Sequence, residues 1–370
     1  MLRTSFFALV AASILSACSS QPVLAPAQVN SSPNQSAVIS FGSCLRQWAD
    51  QPVWQAIAAQ QSEAFIFAGD NVYTDVGPYL KQRVPQRIQQ AYRDLALGAE
   101  FGAFLASAEK SGTGVYATWD DHDYGFNDGG EEYPFKSQSK QYFSEFFQLN
   151  PAKIGDSAKT GVCHTAYVKA AGLRVQMVLL DTRSYRSALL RDDDRSVCAP
   201  TGIVANNSEQ ATILGDAQWQ WLAGELQKPA DIRLLVSSIQ VLPSEHCFEK
   251  WANFPRERER LLALLKSSGA NGLILLSGDR HLAEISRLKA EGMYPLYEIT
   301  SSGLNSAMGE HSPAASEVNS LRVRKHNILV DNFGTIKIER KPSGTVLALQ
   351  IRDKQGKLVQ QERVPLAALK

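Results

Sequence analysis

The stretch VYATWDDHDYG, residues 115–125, drives an apolar, strand-like run straight into Asp120, Asp121, His122 and Asp123. Like charges crowded at the end of a buried strand are unfavourable unless something neutralises them. The pattern recurs along the chain. SAVISF (36–41) runs into Gly42-Ser43-Cys44, and EAFIFA (63–68) into Gly69-Asp70-Asn71. LRVQMVLL (173–180) runs into Asp181-Thr182-Arg183, and NGLILL (271–276) into Ser277-Gly278-Asp279-Arg280-His281. DIRLLVSSIQVL (231–242) and YPLYEIT (294–300) are further apolar runs. Several are apolar on both faces, as strands covered on both sides are.

Helical patterns fall between these runs, at 52–61, 78–109, 135–149, 215–228 and 254–269. The last two place apolar residues at i, i+3, i+4 and i+7. Alternating strand and helix predicts an α/β fold with a large parallel component. Residues 332–359 alternate and turn at Pro342-Ser343-Gly344, which predicts an antiparallel hairpin on a sheet edge.

Ligands of open α/β sheets collect at the carboxyl ends of strands. The polar residues after each run are therefore the candidate site. In extended chain, Asp279 and His281 point to one side. Asp121 and Asp123 likewise share one face, and Asp120 and His122 the other. GDNVYTD (69–75) adds Tyr73 and Asp75 to Asp70. Of six histidines, only His122 and His281 adjoin strand-end aspartates. His164, His246, His311 and His326 read as surface or structural.

Converging carboxylates and imidazole suit divalent or trivalent metals. Two ions can generate a hydroxide and clamp an anionic transition state. A nearby imidazole can protonate the leaving oxygen, and Arg forks match phosphate oxygens. Cys44, at the same edge, is expected as a thiolate ligand. The chemistry these residues support is hydrolysis of a phosphate ester. A serine nucleophile is disfavoured, because no G-x-S-x-G elbow is present. The competing non-enzymatic reading is a weak or inactive surface lipoprotein that binds an anionic ligand or partner through the same residues.

The 370 residues are 44% hydrophobic and 20% charged, enough for a large core. A net charge of +1 and no long basic run leave no footprint for nucleic acid. Residues 1–17 carry Arg3, an apolar run from Phe6 to Leu15, and a small-residue box before Cys18. That is the form of a lipoprotein signal, with Cys18 as the lipidated residue. Residues 18–36 read as a flexible tether with a reach on the order of 25 Å, and 37–370 as the folded domain. The expected location is a bacterial cell envelope, on the outer membrane facing the periplasm. Disulfides are then allowed, and Cys163 with Cys198 is the expected pair. RDDDR (191–195) reads as a solvated loop and PRERER (255–260) as an exposed helix face.

The segments FGSCLRQ, FAGDNVYTD, ATWDDHDYGFNDGG, SKQYFSEFF, VLLDTRSYRS, LGDAQWQWL, LSGDRHLAEIS and LYEITSSGLN, in order, resemble the alkaline phosphatase D (PhoD-like) metallophosphatases. The likeness runs from Phe41 to Asn305. It implies the calcineurin-like metallophosphoesterase fold, an α-β-β-α sandwich of two packed mixed sheets flanked by helices. It implies phosphomonoesterase or phosphodiesterase activity with at least two metal ions, Fe3+ and Ca2+. By motif, Cys44, Asp70 and Tyr73 become iron ligands with His281 nearby, and Asp70 bridges to a second ion. Asp121 and Asp279 become further metal ligands. His122 becomes the general acid. Asn71, Arg183 and Arg280 become contacts for substrate oxygens. The chain departs from members with a twin-arginine signal, since Arg3 stands alone.

Overall fold

A computed structural model describes residues 36–81, 84–149 and 161–370. The expected signal, Cys18 and the tether up to residue 35 lie outside the described residues. Ser36 already begins the first strand.

Parallel β1 (Ser36–Gly42), β2 (Ala64–Ala68) and β3 (Gly114–Thr118) form half of one six-stranded sheet. The antiparallel strands β12 (Asn332–Lys341), β13 (Gly344–Asp353) and β14 (Leu358–Pro365) complete it, in the order β14-β13-β12-β1-β2-β3. The second six-stranded sheet contains β4 (His164–Ala170), β5 (Leu173–Leu179), β8 (Ile232–Val236), β9 (Leu273–Ser277), β10 (Ala283–Leu288) and β11 (Leu296–Ser301). Its order is β10-β11-β9-β8-β5-β4, with β5, β8, β9 and β11 parallel. A short hairpin, β6 (Leu190–Arg191) with β7 (Ile203–Val204), stands apart.

Alternation within each strand builds the layers. Ala64, Ile66 and Ala68 of β2 pack into the core between the sheets, against residues such as Met177, Leu234 and Ile274. Phe65 and Phe67 point the other way, into an aromatic layer with Trp54, Phe101 and Phe104. That layer is carried by helices α1 (Val53–Ala58), α2 (Gln86–Leu97), α3 (Ala99–Ser111) and α5 (Lys136–Phe146). One-turn α4 (Asp121–Tyr124) lies between α3 and α5. On the far side, Leu235, Leu273 and Leu275 meet Trp219 and Leu222 of α6 (Gly215–Leu226) and Leu261 and Leu265 of α7 (Pro255–Ser267). Strands covered on both faces explain the unbroken apolar runs. The α-β-β-α sandwich expected from the sequence is the architecture observed.

Four local expectations change. The run 231–242 is strand only to Val236, because Ser237 and Ser238 turn their hydroxyls to Ile239 O (2.7 Å) and Asp120 Oδ1 (2.7 Å). The C-terminal hairpin gains a third strand and joins β1 centrally, so it supplies half a sheet. Glu257 of the PRERER helix is buried rather than exposed. It accepts hydrogen bonds from Trp219 Nε1 (2.9 Å), Thr212 Oγ1 (2.8 Å) and the Ile213 N–H (2.8 Å).

The fourth change is the disulfide. Cys198 bonds to Cys247, with Cα atoms 5.2 Å apart, and not to Cys163. Cys163 leads directly into β4 and is fully buried, whereas Cys198 lies in the loop between β6 and β7. The bond closes a loop with a sequence separation of 49. Replacing both cysteines by serine is expected to lower stability by about 2–4 kcal/mol. Denaturant unfolding checks this, and a midpoint equal to wild type would show that the crosslink contributes nothing.

Candidate metal centre

The carboxyl ends of β1, β2, β3 and β9 converge where a Ser43–Ser302 bridge joins the two sheets. Cys44, Asp70, Asp279 and His281 all lie in the turns that leave strands β1, β2 and β9. Each has a positive φ, of 62°, 51°, 68° and 53° respectively. Left-handed backbone disfavours most L side chains by roughly 1–2 kcal/mol, Asp and His less than others, and gathers at functional sites. Asp120–Asp123 do not continue β3. The Asp120 N–H donates to Asp123 Oδ1 (2.6 Å) in a capping box, and the chain turns into α4. The alternation expected for 120–123 and for 279/281 is therefore not followed.

Tyr73 Oη donates to Asp70 Oδ2 (3.1 Å) and lies 3.1 Å from His281 Nε2. Cys44 Sγ is 3.4 Å from Asp70 Oδ2 and 3.0 Å from Ser302 Oγ. Three sets each bring their donor atoms within 4.8 Å of one another: Cys44–Asp70–His281, Asp70–Asp121–His122 and Asp120–Asp121–Asp279. Asp70 is common to the first two sets and Asp121 to the last two. Asp279 and His281, two residues apart, thus belong to different sets. A fourth set, Asp121–Asp128–Glu249, is already balanced by cations. Arg191 pairs with Asp128, and Arg183 and Arg186 pair with Glu249.

Three buried oxygens in the cluster have no partner among the described residues: Asn71 Oδ1, Asp120 Oδ2 and Asp121 Oδ1. Burial, with repulsion from neighbouring carboxylates, pushes Asp70 and Asp279 well above the usual carboxylate range. Burial and the Asp70 charge raise the Cys44 thiol. Burial opposes ionisation of Asp121, but His122 and Arg183 outweigh it and hold that carboxyl at about 2. Burial likewise opposes charge on His122, yet Asp121, Asp70 and Asp75 lift it to about 11. Orphaned acceptors and carboxyls that cling to protons are what a buried site built for cations presents, because an ion displaces those protons and fills the acceptors. The donor set of thiol, phenol, imidazole and carboxylates fits metal ions.

The surrounding contacts sort the remaining candidates. His122 Nδ1 lies 2.5 Å from Asp75 Oδ1, while Asp75 Oδ2 accepts from the Asn127 N–H (2.7 Å). Asn71 Nδ2 donates to Thr118 O (2.9 Å) and Asp123 Oδ2 (2.5 Å), leaving Oδ1 unmatched. Arg280 lies over the Phe248 ring at 4.2 Å and donates to both Glu317 oxygens (2.7 and 2.8 Å).

Arg183, expected to hold substrate oxygens, is fully buried and committed elsewhere. Its Nε donates to Asp120 Oδ1 (2.6 Å), with a further contact from Nη2, and its Nη1 donates to Glu249 Oε2 (2.6 Å). It neutralises protein carboxylates rather than facing a ligand. Sequence reasoning missed Glu249 and Ser302. Glu249 follows no strand, and Ser302, although it directly follows β11, reads only as a disfavoured nucleophile; each meets its partner through the tertiary fold. The oxygen-rich GDNVYTD stretch pointed at Asp75 without giving it a partner.

Comparisons with known proteins bear on the family and the fold. Alkaline phosphatase D of Bacillus subtilis (strain 168) is 27% identical over 285 residues, 68% of this chain and 47% of that protein. The chain thus spans about half the length of this curated relative. A solved structure of PhoD superposes with a TM-score of 0.62 at 18% identity, covering 88% of this chain and 71% of the other. GAP50, the anchor in the inner membrane complex of Plasmodium, gives a TM-score of 0.52 at 12% identity, covering 90% of this chain and 95% of that one. At such identities these superpositions speak for the fold. The family model for PhoD-like phosphatases matches residues 39–348, most of the chain, and the chain belongs to that family.

Proposed function

We propose that the chain hydrolyses phosphate esters, monoesters or diesters, at a dinuclear metal centre. The observation that carries this reading is the sharing of Asp70 between Cys44–Asp70–His281 and Asp70–Asp121–His122. A shared carboxylate is what two adjacent ions require. Cys44, Asp70, Tyr73 and His281 would hold the first ion, and thiolate with phenolate favours Fe3+ there. Asp70 and Asp121 would hold the second, with Asp279 joining through the set it shares with Asp121, and these carboxylate donors favour Ca2+. Ions bound there supply a hydroxide at neutral pH and positive charge for the phosphoryl oxygens.

The chain's own residues do the rest. Asp75 fixes the His122 ring through Nδ1, which leaves Nε2 to protonate the leaving oxygen. Asn71, anchored through its Nδ2, offers Oδ1 to an ion or to a substrate hydroxyl. Arg183 holds Asp120 in place, and Arg280 flanks Asp279.

The same reading puts the protein in the cell envelope, tethered through a lipidated Cys18. The signal-like N-terminus and the Cys198–Cys247 disulfide, typical of oxidising compartments, support it. Elemental analysis of purified protein, run beside assays on p-nitrophenyl phosphate and bis(p-nitrophenyl) phosphate, is the test. Bound metal should accompany activity, and stripping the metal with a chelator should abolish turnover that metal restores. Full activity in metal-free protein would sink the mechanism.

A further inference from the structure

The segment Glu245–Lys250 folds around Phe248, and three basic side chains meet there. The Phe248 N–H donates to His246 Nδ1 (3.2 Å), and Lys250 Nζ donates to Phe248 O (3.0 Å). Arg280 covers the ring at 4.2 Å. His246, Lys250 and Arg280 are only 7%, 4% and 2% exposed.

Buried cations ordinarily have carboxylate partners. Arg280 has Glu317. Among the described residues Lys250 has no carboxylate within ion-pair distance, and a backbone carbonyl takes only one of its three protons. His246 Nε2 and Arg280 Nε are also buried without partners. Burial and the charges of Arg280 and Lys250 hold His246 well below its ordinary range, so it is a neutral imidazole beside two cations. Glu317, Glu249 and Asp279 bear on Lys250 from a distance, yet three unmet sets of donors around one residue still call for an acceptor. Arg280 directly follows Asp279, so the pocket adjoins the metal centre.

Resting on the phosphatase reading above, we infer that Lys250, His246 and Arg280 bind a second anionic group of the substrate, so that the preferred substrate is a phosphate ester carrying another phosphate or carboxylate a few bonds from the ester that is cleaved.

The test compares metal-loaded protein on propyl phosphate, propane-1,3-diyl bisphosphate and 3-(phosphonooxy)propanoate. One charge-assisted contact predicts at least about a tenfold higher kcat/KM for a doubly anionic compound. Whichever of the last two gains shows whether the pocket prefers phosphate or carboxylate. In Lys250→Met that advantage is expected to fall to within about twofold, a loss of one such contact. His246→Gln, which keeps a polar side chain, is the second variant and is expected to shrink the ratio in the same direction. Equal kcat/KM for all three compounds in the wild type would overturn the pocket, and this result needs no variant to fold. An undiminished ratio in both variants would overturn it as well. No turnover of any compound would instead sink the phosphatase reading itself, which separates the two failures.

Discussion

Asp70→Asn is expected to strip metal from the protein and lower phosphate-ester turnover on the order of 10³-fold. Among the described residues, Asp70 is the one carboxylate whose oxygens approach both the Cys44/His281 side and the Asp121/His122 side. Removing its charge weakens both ion sites at once. The substitution is also a clean one. Asn matches Asp in shape, and it tolerates the left-handed backbone that this position imposes, with φ of 51°. The buried cluster moreover loses one of its mutually repelling acids, so the metal-free variant should fold at least as well as wild type. Elemental analysis and kcat/KM on p-nitrophenyl phosphate, read beside the unfolding midpoint, check the three parts. A folded variant with full metal content and activity within about tenfold of wild type would remove Asp70 from the bridging role, since a loss of that size is only about 1.4 kcal/mol.

Arg183→Met should act on stability first. The side chain is fully buried between Asp120 and Glu249, and its removal leaves Asp120 buried without its cation and Glu249 with Arg186 alone. Breaking a buried pair by deleting one partner destabilises by about 3–5 kcal/mol. The measurement is a denaturant midpoint that falls at unchanged slope. A residue that gripped substrate would behave differently, with wild-type stability and a raised KM. That outcome would restore Arg183 to the role its strand-end position suggests.

What is legible in the sequence follows from what each contact depends on. Strands covered on both faces are mostly apolar, so an apolar run marks a strand and the cluster of polar residues after it marks the sheet edge. Cys44, Asp70, Asp121, Asp279 and His281 therefore stand out as candidates from their order along the chain. Which of them share an ion does not. Period-two alternation pairs Asp279 with His281, but left-handed backbone at both sends them to different sets. Arg183 looks available because Glu249, its partner, is 66 residues away with no local pattern joining them. The disulfide is hidden for a similar reason. Nearness in sequence favours Cys163 with Cys198, but entry into β4 buries Cys163 elsewhere.

The left-handed turns at Cys44, Asp70, Asp279 and His281 carry an evolutionary consequence. Glycine, or in places asparagine, would relax each of them. A lineage released from the need for catalysis and selected only for thermal hardiness would drift toward those residues. The centre would vanish while both sheets stayed intact. Gly or Asn at these four places in a relative that keeps the sandwich would then mark lost metal donors, since neither supplies a thiolate, a carboxylate or an imidazole.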